Sequence, residues 1–185
     1  MISPQLHHST GHDLPCAFPV REMIKQRWLR LSALSIAFTL LSSSLHAQST
    51  ITGPARVIDG DSIEIAGISI RLFGLDAPEK AQACLDRAGN AYACGLHATV
   101  FLIQIIQNRD VSCEVRDIDR YRRRIAVCFA GETNLNSALV RNGWAVAYRR
   151  YSAEFVPDEE QARRERKGMW AGRFNSPEDW RQMKR

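Results

Sequence analysis

The sequence predicts an α+β domain, and three observations carry the prediction. Two stretches, Ser62–Phe73 and Val111–Phe129, alternate or cluster apolar residues as paired strands around a turn. Three others, Ala91–Asn108, Leu135–Gly143 and Pro157–Lys167, show helical apolar spacing or helix-end signals. A length of 185 residues suits one domain with a single core.

Residues 1–47 read as a leader outside that domain. Lys25, Arg27 and Arg30 precede an apolar run from Leu31 to Leu41, and small polar residues follow to Leu45-His46-Ala47. That order is the pattern of a secretory signal peptide cut after Ala47, and the run is too short for an ordinary membrane span. An uncleaved anchor is the alternative. The stretch before Met23 is polar and contains Pro4, Pro15 and Pro19, so Met23 is read as the true start. The expected organisation is a leader at 1–47, a domain at 48–172, and a tail at 173–185 that either packs or frays.

In the first hairpin, Ser62, Glu64 and Ala66 alternate with Ile63 and Ile65. Ala66-Gly67 makes the turn, and Ile68, Ile70, Leu72 and Phe73 continue as a strand carrying Arg71. Asp59-Gly60-Asp61 opens the first strand and Asp76-Ala77-Pro78-Glu79 follows the second. Folding therefore gathers two acidic clusters and an arginine at one end of a sheet. Carboxylates that close repel unless positive charge separates them. A hard cation on oxygen ligands meets that need, with Asp61 and Asp76 as direct ligands. Pro78 keeps Ala77 out of helical geometry, which lets the Ala77 carbonyl face the ion. Ordinary turn aspartates are the alternative. Arg71 in an apolar strand is costly unless its charge is used.

The first helix is apolar through Leu96, Val100, Phe101, Leu102, Ile103, Ile105 and Ile106. It carries His97, the only histidine after the leader, for which a packed or surface role is expected; no multi-histidine metal site can form. The second hairpin turns through Asp119-Arg120-Tyr121-Arg122-Arg123-Arg124. Leu135, Leu139 and Val140 mark a short helix ending at Gly143. The third helix has Asp158, Glu159 and Glu160 first and Arg163, Arg164, Arg166 and Lys167 last, which complements its dipole.

Cys84, Cys94, Cys113 and Cys128 follow the leader, an even number that favours disulfides in an oxidising compartment. Cys113 and Cys128 lie almost equally far from the Arg120-Tyr121 turn, so hairpin register sets them opposite each other. Cys84 and Cys94 close a short loop after Glu79. The expected pairs are 84–94 and 113–128, the second worth ~3 kcal/mol; buried free thiols are the alternative. Net charge is +5 overall, with residues 53–115 acidic (five basic, eight acidic) and residues 116–185 basic (16 against ten). An acidic pocket faced by a basic remainder suits a polyanionic substrate.

The order D-G-D-S, R-L-F-G-L-D-A-P-E, D-R-Y-R-R-R-I-A and L-N-S-A-L-V-R-N-G-W-A resembles the staphylococcal nuclease (thermonuclease) family over about residues 53–170. The resemblance implies a five-stranded OB-fold β-barrel with about three helices. It implies a calcium-dependent endonuclease that hydrolyses DNA and RNA with little sequence preference; magnesium and manganese stay open as the ion. Matched residue by residue, it implies Asp61 and Asp76 as metal ligands with Ala77 beside them, and Asp59 behind them. Glu79 would align or deprotonate the water, and Arg71 and Arg123 would grip the scissile phosphate. Arg120 and Tyr121 fall where the neighbouring phosphate is held, and Tyr148 falls near the base pocket.

Two departures stand out. The family has glycine where this chain has Arg122, which implies a different turn or ~1–2 kcal/mol of strain. The family's long lysine-bearing loop after the catalytic glutamate is here clipped by the cysteine pair. The expectation is a secreted or periplasmic, monomeric nuclease acting on nucleic acid. A nonenzymatic OB-fold module holding single strands is the second reading, and an exported binder of other polyanions or protein partners the third.

Overall fold

The computed structural model describes residues 49–185. The signal-peptide reading and the start at Met23 lie outside the described residues. The elements that build the barrel are β1 (Thr50–Val57), β2 (Ser62–Ile65), β3 (Ile68–Leu72), β7 (Asp110–Ile118) and β8 (Arg124–Ala130). Short pairs β4 (Leu75–Asp76), β5 (Cys84–Leu85), β6 (Ala91–Tyr92), β9 (Thr133–Asn134) and β10 (Val146–Ala147) lie between and after them. The helices are α1 (Cys94–Ile106), α2 (Leu135–Arg141), α3 (Val156–Glu165) and α4 (Pro177–Met183).

β1 pairs antiparallel with β2 on one flank and β7 on the other, and β7 continues into β8. A parallel β3–β8 pairing closes the ring, giving a five-strand mixed barrel of the OB type. Ile63, Ile65, Ile70 and Leu72 point inward with Val111, Ala126, Leu102 and Leu139. Ala66 and Gly67 both take positive φ (50° and 77°), the two-residue turn that follows strand twist.

β1 is the element that sequence pattern does not assign, because Gly53 and Pro54 interrupt it. Its register explains them. Thr50–Pro54 pair with β7, whereas Ala55–Val57 pair with β2, so the strand changes partner just after the proline. The missing N–H of Pro54 falls at that bend.

Cys113 and Cys128 are register partners with Cα atoms 4.1 Å apart, and they form a disulfide. Cys84–Cys94 forms the second and ties β5 to the first residue of α1. Two disulfides belong to an oxidising compartment. Among the described residues, no helix is long and apolar enough to cross a membrane.

The three expected helices are joined by a fourth built from the tail. Leu85 and Arg173 exchange backbone hydrogen bonds (2.8 and 3.0 Å), and buried Gln82 donates to the Asn175 carbonyl at 2.9 Å. Ser176 then caps α4, its hydroxyl accepting from the Asp179 N–H.

The Arg122 turn keeps a left-handed residue. Arg122 has φ 65° and donates to the Asp119 carbonyl at 2.9 Å, while Asp119 Oδ1 accepts the N–H groups of Tyr121 and Arg123 at 2.9 Å each. Arg122→Gly is therefore expected to stabilise the protein by about 1 kcal/mol. A urea midpoint that stays put or falls would show that the turn carries no such strain.

Candidate active site

The site forms where five backbone constraints meet. The register Ser62↔Arg71 brings the start of β2 beside the end of the hairpin's return strand. Leu72 N–H donates to the Asp61 carbonyl at 2.8 Å. Gly60 lies so close to Ala77 and Ala98 that an added Cβ would meet both methyls at 2.9 Å. The Asp59–Asp61 loop is thus pressed between the Asp76–Glu79 segment and α1. Pairing of β4 with β10 (Val146↔Asp76) fixes the second acidic segment from the other side. Gly95, in the first turn of α1, runs against the Glu79 carbonyl, which leaves no room for a side chain there.

These constraints converge the expected side chains. Arg71 Nη2 lies 2.9 Å from both Asp61 Oδ2 and Asp76 Oδ1. Asp61 Oδ2 also accepts the Ala77 N–H at 3.3 Å, and Asp59 Oδ1 accepts the Asp61 N–H at 3.1 Å. Asp61 is 5% exposed and Asp76 1%, so one guanidinium bridges two buried carboxylates. Burial pushes the Asp61 carboxyl up to about 6; Arg71 opposes that rise, and Asp59 and Asp76 add to it. Burial works against the Arg71 charge as well, but Asp61 and Asp76 hold its pKa above the ordinary arginine value.

The Asp61 shift sets a pH dependence. Between pH 6 and 4 the folded protein holds a proton on Asp61 that the unfolded chain does not. This group therefore adds stability as pH falls through that window and removes it as pH rises. Melting temperatures in chelator-treated buffer are expected to show that contribution, and Asp61→Asn to lose it. Identical slopes in both proteins would contradict the assignment.

A residue absent from the sequence reading completes the cluster. Arg181 of α4 donates through Nη1 to Asp76 Oδ1 (3.1 Å) and Glu79 Oε1 (2.8 Å), and through Nη2 to Asp76 Oδ2 (2.8 Å). Glu79 is thereby directed at the tail, with its side chain 39% exposed.

Arg123, Arg120, Tyr121 and Tyr148 make their hydrogen bonds and ring contacts outside this cluster. Arg123 precedes by two positions Ile125, the register partner of Arg71. Its Nε and Nη2 are held by Asp119 Oδ2 at 2.8 and 2.7 Å. The Arg120 and Arg123 guanidiniums lie 4.8 and 5.6 Å from the Tyr121 ring centroid, and Arg120 also donates to the Tyr121 hydroxyl at 2.7 Å. Tyr148 follows β10, donating from its N–H to the Gly74 carbonyl at 2.9 Å, with its ring edge-on to Tyr151. It lines a cavity of about 980 Å³ that also reaches Asp76, Arg150, Trp170 and Phe174. His97 stacks on Trp144, a packing role.

Among the described residues, no group of three or more His, Cys, Asp or Glu is arranged to hold a metal ion. The buried donors are nonetheless carboxylate oxygens alone, sharing one cation at 2.9 Å, and that donor chemistry fits a hard cation.

The family model described as Staphylococcal nuclease homologue matches residues 69–172, which include Arg71, Asp76, Glu79 and Arg123. This chain belongs to the staphylococcal nuclease family. Micrococcal nuclease of Shigella flexneri is 31% identical over 176 residues, covering 85% of this chain and 94% of that protein. An uncharacterized endonuclease of Haemophilus influenzae is 28% identical over 167 residues, 86% of this chain and 88% of its own length. Succinoglycan biosynthesis protein ExoI of Rhizobium meliloti is 39% identical over 113 residues, and the match spans 59% of that protein. Within the family segment, the matched region begins after Asp61 and ends before Arg181.

Proposed function

We propose that this staphylococcal nuclease family member is an exported, monomeric, calcium-dependent nuclease that cuts DNA and RNA internally with little sequence preference. One observation carries the reading: a single guanidinium nitrogen of Arg71 lies 2.9 Å from each of two buried carboxylates, with Glu79 beside them. Asp61, Asp76 and the Ala77 carbonyl would hold a calcium ion, which supplies positive charge to the scissile phosphate when bound. Glu79, more exposed than either aspartate, takes a proton from the attacking water. Arg71 keeps 21% of its side chain exposed, so its outer edge is open to a phosphate oxygen. Arg123, released from Asp119, forms the second arm of the grip as negative charge builds on the oxygens. Arg120 and Tyr121 hold the next phosphate, and Tyr148 offers a ring on which a base stacks.

A nonenzymatic module remains the second reading, favoured by one feature: Glu79 and Arg123 are both engaged by partners, Arg181 and Asp119. Glu79→Gln separates the two. The variant is expected to bind single-stranded DNA as before and to lose roughly 10²–10⁴-fold in cleavage rate, the range for a positioned proton acceptor. Unchanged cleavage in a folded Glu79→Gln protein would reject the catalytic role.

A further inference from the structure

The Arg181 contact is specific in geometry and unusual in origin. The residue lies past position 172, where the family match ends, so the barrel motifs do not account for it. Its placement is built by a series of anchors. The Cys84–Cys94 disulfide and the β5–β6 pair shape the loop after Glu79. Leu85 of that loop pairs with Arg173, and Gln82, itself 1% exposed, holds the Asn175 carbonyl. Ser176 and Pro177 then start α4, whose second turn delivers Arg181. The guanidinium meets both oxygens of Asp76 and one of Glu79 at 2.8–3.1 Å, a fork-on-carboxylate geometry. Its partners include the more buried of the two candidate ligand carboxylates and the candidate proton acceptor.

We propose that Arg181 is a tethered cation that competes with the metal ion for Asp76 and Glu79, so that the tail sets the metal affinity of the site. This rests on the calcium reading above. The physical ground is that two buried carboxylates already share Arg71, and Arg181 and a divalent ion placed in the same space repel each other. Full engagement of Asp76 by the guanidinium and by a divalent ion therefore oppose each other. Calcium binding loosens α4, and α4 docking weakens calcium binding, by the same factor.

Calorimetric titration with calcium chloride of the oxidised protein tests this, with Arg181→Ala, Arg181→Gln and each of these combined with Asp61→Asn. Both single variants are expected to bind calcium about tenfold more tightly than wild type, and Asp61→Asn to abolish the binding. In wild type, hydrogen exchange of the amides in 177–183 is expected to speed up when calcium is added. If the single variants bind no more tightly than wild type while Asp61→Asn still abolishes binding, the competition is wrong and the metal reading stands. If calcium binds neither wild type nor the variants, the metal reading fails and the competition fails with it. Exchange in 177–183 that ignores bound calcium would also overturn the proposal. Far-UV circular dichroism of Arg181→Gln shows whether the fold is retained.

Discussion

Arg71→Ala is expected to lower cleavage by at least ~10²–10³-fold, the range for removing one preorganised donor to developing charge. The same change leaves Asp61 and Asp76 facing each other without the cation that now sits 2.9 Å from each. Breaking a buried pair by removing one partner typically costs about 3–5 kcal/mol. Arg181 still neutralises Asp76, so a loss near the lower end is expected. Arg71→Lys divides the two roles. It restores a point charge between the aspartates and hence much of the stability, but not the planar fork that holds two phosphate oxygens. An Arg71→Lys enzyme that cuts as fast as wild type would contradict the grip assigned to Arg71.

The second large effect concerns a residue that makes no chemistry. Asn136 is fully buried; its Oδ1 accepts the Cys128 N–H at 3.0 Å, and its Nδ2 donates to the Phe73 and Ala126 carbonyls at 2.9 and 3.2 Å. One amide thus ties the end of the Arg71 strand to β8 where the parallel pairing closes the barrel. Asn136→Ala leaves the Cys128 N–H and the Phe73 carbonyl without that partner, while the Ala126 carbonyl keeps the Phe73 N–H at 2.7 Å. At about 1–3 kcal/mol for an orphaned buried group, a loss of roughly 3 kcal/mol or more is expected. That corresponds to a fall of about 10 °C or more in melting temperature for a domain of this size. Activity at low temperature should fall less than stability, because Asn136 touches none of the acidic cluster. A variant that melts within a degree or two of wild type would show that water replaces these bonds.

Much of the fold is legible in the sequence because its strongest elements obey local rules. Ile63 and Ile65 alternate with polar neighbours, Ala66-Gly67 satisfies a tight turn, and Cys113 and Cys128 straddle the second turn symmetrically. β1 is not legible, since it is two half-strands joined at Gly53-Pro54, and only the barrel's change of partner makes them one element. The convergence of Asp61, Arg71 and Asp76 follows from hairpin order. The closeness of Glu79 to α1 depends on Gly95, a glycine whose role appears only when two distant segments meet. Arg181 is hardest to read. A single arginine in a polar tail has no periodicity to report it, and its one local cue is the helix start at Ser176-Pro177-Glu178-Asp179. Its partners lie about a hundred residues earlier in the chain.

The central claim is that the acidic cluster and its arginines form a metal-assisted hydrolytic site. It is tested most directly by incubating the purified, oxidised protein starting at Gln48 with single-stranded DNA, with and without calcium, beside Glu79→Gln. The account predicts calcium-dependent cutting by the wild-type protein and its loss in the variant. A folded protein that binds the strand in calcium and leaves it intact would contradict the account and establish a binding module instead.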